Sequence, residues 1–174
     1  MQIILYLAAI VAANVLTAKF APINLGWALV PVGTLLVGVS FILRDLVQDQ
    51  VGRRATYKWI ALAMIISGAI SYLLGDTLLI MVASAVSFVI SESMDTEIYS
   101  RFNASKPKRI LVSGAVGGAI DSAVFVLIGL SPLGSGMLPW EVVPAAILGQ
   151  VVVKFILQLV GAAAYTTHEA RKAI

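Results

Sequence analysis

Long apolar runs alternate along the chain with short polar breaks. A helix that crosses a bilayer needs about 20 mostly apolar residues. On that measure the pattern predicts helices over 2–20, 29–49, 57–74, 77–102, 108–130 and 141–166. The breaks carry their own signals. Pro22, Asn24 and Gly26 end the first run, and Gly52-Arg53-Arg54 ends the second. Gly75-Asp76 makes a tight turn, Asn103 through Pro107 separates the fourth run from the fifth, and Ser131 through Gly136 opens the last connection. Pro31 and Pro144 fall in predicted first turns, where proline is tolerated.

Within these runs Asp45, Asp95, Asp121 and Lys154 are out of place. A charge at the centre of a bilayer costs about 2.5–3.5 kcal/mol on insertion scales, and persists where it faces water, a partner or a polar ligand. The expectation is a small membrane protein that moves or senses a polar solute. Composition agrees: 60% of the 174 residues are hydrophobic and 12% charged, against about 25% charged in a soluble domain. The fold class is an all-α integral membrane protein, with residues 1–174 as a single six-helix transmembrane domain.

Several chemistries drop out. There is no cysteine, so disulfides and thiol catalysis are absent. The single histidine, His168, lies in the polar tail, which speaks against a zinc site or histidine catalysis. No cofactor is expected. Met1 leads directly into an apolar helix without a basic segment and cleavage site, so no cleaved signal peptide is expected.

Nine of the 12 lysines and arginines fall on one side of the predicted topology: Arg53, Arg54 and Lys58, then Arg101, Lys106, Lys108 and Arg109, then Arg171 and Lys172. The positive-inside rule places both termini in the cytoplasm, in a cell (inner) membrane. The net charge of +3 is thereby a topology signal rather than a nucleic-acid site. Trp27, Trp59 and Trp140 read as interfacial anchors.

The polar residues form faces. Asp45 and Asp49 stand at i, i+4 on the second span, with Arg44 directed to another face. Glu92, Asp95 and Tyr99 share a stripe of the fourth span, continued upstream by Ser84, Ser87 and Ser91, and Glu97 lies off it toward solvent or headgroups. Gly114, Gly117 and Gly118 form a small-residue face beside Asp121, suited to close helix packing. Gln150, Lys154 and Gln158 recur on one face of the sixth span, where Lys154 has either Asp121 or Asp45 as its partner. Asn14, the lone strong polar residue of the first span, either bridges helices or reads a polar solute.

Together these motifs resemble the VUT (vitamin uptake transporter) family, also called the queuosine precursor transporter family. The resemblance is carried by Asn14 through Lys19, Asp45 with Gly52-Arg53-Arg54, Ser91 through Asp95 with Tyr99, Ile120 through Phe125, and Gln150 with Lys154. Glu92 stands where that family often carries glutamine. The resemblance implies a six-helix transporter of 7-deazapurine queuosine precursors: 7-cyano-7-deazaguanine, 7-aminomethyl-7-deazaguanine or queuine. It also implies a fold similar to the substrate-binding components of energy-coupling-factor transporters. A deazaguanine offers adjacent N–H donors that one carboxylate accepts, and acceptors that suit asparagine, glutamine or lysine. The substrate-binding set on this reading is Asn14, Asp45, Glu92, Asp95, Asp121, Gln150 and Lys154.

Four readings compete. One is a stand-alone importer coupled to protons through one carboxylate. Another is a substrate-binding subunit that needs an ATPase partner, since the chain has no G-x-x-x-x-G-K-[ST] loop of its own. The third is an intramembrane enzyme using paired acids among Asp45, Asp95 and Asp121, for which no strong catalytic motif is present and which Lys154 would disturb. The last is a structural protein whose polar residues only bridge helices. A bundle this small also leaves a homodimer open.

Overall fold

The computed structural model describes residues 1–172, with side chains through Thr166; the side chains of His168, Arg171 and Lys172 lie outside that description. The apolar runs become helices α1 (Gln2–Lys19), α2 (Thr34–Val51), α3 (Arg53–Leu74), α4 (Leu78–Arg101), α5 (Lys106–Phe125) and α6 (Val143–Lys172). Between α1 and α2 a two-residue hairpin pairs β1 (Ile23–Asn24) with β2 (Leu29–Val30). Its tip is an Asx turn in which the Gly26 N–H donates to Asn24 Oδ1 at 2.8 Å. α2 therefore starts at Thr34 rather than 29: Leu29 and Val30 are in the hairpin, and Pro31 precedes the helix instead of lying in its first turn. Pro107 lies in the first turn of α5, which begins at Lys106.

The helix ends follow local chemistry. α3 stops at Gly75, whose φ of 83° belongs to the left-handed region that glycine enters freely. There the Asp76 N–H reaches back to Ser71 O at 3.1 Å, closing the last turn. The Thr77 side chain then caps α4, accepting from the Ile80 N–H. α5 runs on into one wide turn, Val126–Leu130, closed by Ser131 N–H donating to Val126 O at 2.8 Å.

Each helix packs on the next in sequence, so the chain runs up and down. One end of the bundle gathers the start of α1, the α2–α3 and α4–α5 junctions and the end of α6. There Lys106 meets Asp49 and lies 4.5 Å over the Tyr165 ring, and Arg53 meets Glu97. This is the basic end. α2 touches all five other helices. Among the described residues five helices or helix extensions are long and apolar enough to cross a membrane, and α2, carrying Arg44, Asp45 and Asp49, is not one of them. A helix with three charged residues thus packs against all of the others.

The packing is inverted relative to a water-soluble protein. Ile4, Ile65, Leu73, Leu78, Leu148 and Val160 are exposed, whereas Arg44, Glu92, Lys154 and Gln158 are among the largest fully buried side chains. An apolar outer surface around a polar interior is what a hydrocarbon solvent selects. Trp27 and Trp140 are about half exposed, consistent with anchors, while Trp59 packs against the core of Tyr6, Ile10, Val47 and Ala63.

The glycine face of α5 lets two neighbours approach. A Cβ on Gly117 would sit 2.9 Å from Asp95 Cβ on α4, and one on Gly118 would sit 3.3 Å from Lys154 Cβ on α6. Gly117→Leu is expected to cost about 1–3 kcal/mol through overpacking. Gly68→Ala, where a new Cβ meets nothing within 4 Å, is expected to be neutral or to gain up to about 1 kcal/mol. Thermal unfolding of both variants in detergent micelles checks the contrast.

Candidate functional site

Two polar centres occupy the interior at different depths. The first is a cavity of about 160 Å³ in the half of the bundle away from the basic end. A single water needs roughly 10–15 Å³ on this measure, so the space takes a solute of about ten non-hydrogen atoms. All six helices contribute to its wall. α1 brings Asn14, α2 Ser40, α3 Ser67, α4 Ser84 and Ser87, α5 Asp121, and α6 Gln150 and Lys154. Thr17, Pro31, Ser71 and Asp76 carry the wall to the end of the bundle.

Four sequence-predicted residues therefore meet in one place: Asn14, Asp121, Gln150 and Lys154. Of the two partners open to Lys154, the fold supplies Asp121, with Nζ 2.6 Å from Asp121 Oδ2 and 2.8 Å from Ser122 Oγ. Lys154 is 2% exposed and Asp121 13%, so the carboxylate is the more accessible side of the pair. Gln150 is buried and its Nε2 has no hydrogen-bond acceptor among the described residues. Asn14 Nδ2 donates to Ser67 Oγ at 2.8 Å, so this residue bridges α1 and α3 while it lines the cavity. Gln158, a turn beyond Lys154, is used structurally: its Nε2 donates to Gly38 O at 2.9 Å and ties α6 to α2.

The other three predicted residues, Asp45, Glu92 and Asp95, do not line the cavity. They surround Arg44, nearer the basic end. The expectation that Arg44 points to another face is corrected. Its guanidinium is wholly buried, with Nη2 2.7 Å from Asp45 Oδ1 and in contact with Asp95 Oδ2. Nη1 donates to Thr96 Oγ1. Adjacent residues leave a helix about 100° apart, but the long arginine stem bends back to its neighbour's carboxylate and across to α4. Ser113 Oγ on α5 donates to Asp45 Oδ2 at 3.3 Å. Glu92 is the outlying member: its Oε2 is 3.6 Å from Arg44 Nε, and among the described residues neither of its oxygens has a hydrogen-bond donor.

Sequence reasoning missed Arg44 although the signal was present. It sits at the same depth as Asp45, so the same burial cost applies to it. One turn toward the basic end, Tyr99 Oη donates to Asp49 Oδ1 at 3.0 Å, and Arg109 stacks 4.0 Å over the Tyr99 ring. Asp49 meets Lys106. Glu97 does not simply face solvent. It takes Arg53 at 2.6 Å, Arg101 at 2.8 Å and the Tyr57 hydroxyl at 2.7 Å.

A lone guanidinium that serves three buried carboxylates cannot be removed cheaply. Arg44→Gln is expected to destabilise the protein by about 3–5 kcal/mol, the cost of stripping one partner from a buried pair. Adding Asp45→Asn in the same chain removes part of the stranded charge and is expected to restore part of that loss. Melting temperatures in detergent of the single and double variants test this.

Residues 68–167, more than half of the chain, match the family model described as "Putative vitamin uptake transporter". The match runs from the end of α3 through α6 and includes Glu92, Asp95, Asp121, Gln150 and Lys154. No curated protein and no solved structure matches the chain. With its apolar helices around a polar interior, the chain is a multi-pass membrane protein and belongs to the vitamin uptake transporter family.

Proposed function

We propose that this protein imports 7-deazapurine precursors of queuosine through the cavity bounded by Asn14, Asp121, Gln150 and Lys154. The observation that carries the reading is the cavity itself: a solute-sized space to which all six helices bring a polar side chain, in a chain whose family is one of uptake transporters. Its groups complement a guanine-like edge. Asp121, the more exposed half of its ion pair, accepts from adjacent N–H donors. Gln150 Nε2, without an acceptor among the described residues, donates to the carbonyl or ring nitrogen. Phe125 stands in the same wall with a flat apolar face.

On this reading α2 is the sixth span. Its 18 residues extend about 27 Å at 1.5 Å per residue, and its charges meet protein rather than lipid. The bundle is then of the kind found in the substrate-binding components of energy-coupling-factor transporters. Arg53, Arg54, Lys58, Arg101, Lys106, Lys108 and Arg109 gather at the basic end, which makes that end and both termini cytoplasmic. The cavity then faces the outside of the inner membrane, and the Arg44 cluster lies between it and the cytoplasm.

The test uses a bacterium that lacks both precursor synthesis and its own importer. The chain is expressed there, each 7-deazapurine is supplied at low concentration, and queuosine is measured in transfer RNA. Restored modification is expected, with Lys154→Gln weakening uptake roughly 10–100-fold, as for loss of a charged hydrogen bond of about 1.5–3 kcal/mol. No restoration by a folded, membrane-inserted protein would sink the reading. Uptake by purified protein in liposomes without an ATPase separates a stand-alone carrier from a subunit.

A further inference from the structure

Around Arg44 the charges do not balance. One guanidinium faces three carboxylates, Asp45, Asp95 and Glu92, all at most 1% exposed. Asp45 and Asp95 take the guanidinium Nη2 directly, while Glu92 stays 3.6 Å from Nε. The cation is already shared before Glu92 is counted. Among the described residues neither Glu92 oxygen has a hydrogen-bond donor, and an ionised carboxylate there would have only the guanidinium 3.6 Å away to offset its burial, a cost that proteins relieve by neutralising the group. A second observation points the same way. The Tyr6 hydroxyl on α1 is wholly buried, has no hydrogen-bond partner among the described residues and lies within electrostatic reach of Glu92. The ligand that fits is a proton. Arg44 at the centre repels a metal cation, and protonation of one carboxylate lowers the excess of three negative charges over a single positive one.

Polar side chains stand on both sides of Glu92 along the bundle. Ser84 and Ser87 line the cavity, and Ser91 follows on the same side of α4 as Glu92 and Asp95. Beyond the cluster, Tyr99 donates to Asp49, which is 30% exposed beside Lys106 at the basic end. The groups bearing on Glu92 come from several elements. Tyr6 belongs to α1, Arg44 and Asp45 to α2, Asp95 to α4 and Asp121 to α5. α6 presents Lys154, already held by Asp121. The charged residues of α3, namely Arg53, Arg54 and Lys58, lie in its first turns at the basic end.

We propose that Glu92 carries a proton inside the bundle and that its passage from the cavity side to the basic end drives solute movement. The inference rests on the transport reading above. A proton from the cavity side forms the O–H bond of the Glu92 carboxyl. When that bond breaks, its electron pair stays on the carboxylate and the proton leaves past Asp49. The new negative charge then competes for Arg44 with Asp45 and Asp95. Because Arg44 on α2 is what holds Asp95 and the Thr96 hydroxyl of α4, a change of partner loosens the tie between these two helices beneath the cavity.

Purified protein and its Glu92→Gln variant test this in two ways. Infrared spectroscopy at neutral pH should show the carbonyl stretch of a protonated carboxylic acid in the wild type and its loss in Glu92→Gln. In liposomes, 7-aminomethyl-7-deazaguanine should accumulate under an imposed proton gradient. Glu92→Gln should lower that accumulation roughly tenfold while still exchanging labelled for unlabelled solute. No protonated carboxyl in the wild type, a band that persists in the variant, or a variant still driven by the gradient would overturn the proposal. Wild-type liposomes that fail to exchange the solute would instead overturn the transport reading and the coupling with it, and the infrared band would still decide whether Glu92 holds a proton.

Discussion

A guanidinium withdrawn from water needs several acceptors at once, and Arg44 finds them only because α2 lies at the centre of the bundle. Asp45 comes from its own helix, Asp95, Glu92 and Thr96 from α4. Buried ion pairs add little net stability, because desolvation offsets much of their attraction. What they impose is position. α4 cannot slide or turn relative to α2 without stranding a charge, and α5 must come close enough for Ser113 to reach Asp45.

The second buried pair, Lys154 with Asp121, does the same for α5 and α6, with Ser122 completing the set. Both pairs depend on the small side of α5. Gly117 leaves room for Asp95 and Gly118 for Lys154. The glycine face is therefore both a packing surface and the reason two polar side chains cross α5 without a gap. Between the two charge centres the protein has divided its work. The Asp121–Lys154 pair borders open space, while the Arg44 cluster closes the bundle below it.

How much of this the sequence displays depends on the property concerned. The membrane class, the helices and most of their ends are local. They follow from apolar run length, from turn residues such as Gly75, and from proline at Pro22 and Pro107. The start of α2 was misplaced because Leu29 and Val30 are as apolar as a helix requires, and their pairing with Ile23 and Asn24 is not visible in a run of hydrophobic residues. The candidate residues were legible by the cost of burying them. Helical periodicity also placed Gln150, Lys154 and Gln158 on one side, and all three are buried.

By itself the sequence determined an apolar, multi-pass, all-α chain with a small set of charges that must find partners inside it, since hydrocarbon solvates none of them. It left open which charges meet. Periodicity describes one helix at a time, and a partner on another helix is fixed only by how the helices pack. Tertiary structure decided that Lys154 binds Asp121 rather than Asp45, and that Arg44 turns back to Asp45. It also separated one list of candidates into two sites, a cavity with Asn14, Asp121, Gln150 and Lys154, and a closed cluster with Asp45, Glu92 and Asp95. The physical reason is distance: charge pairing acts over a few ångströms, and residues far apart in sequence reach that range only when the bundle has formed.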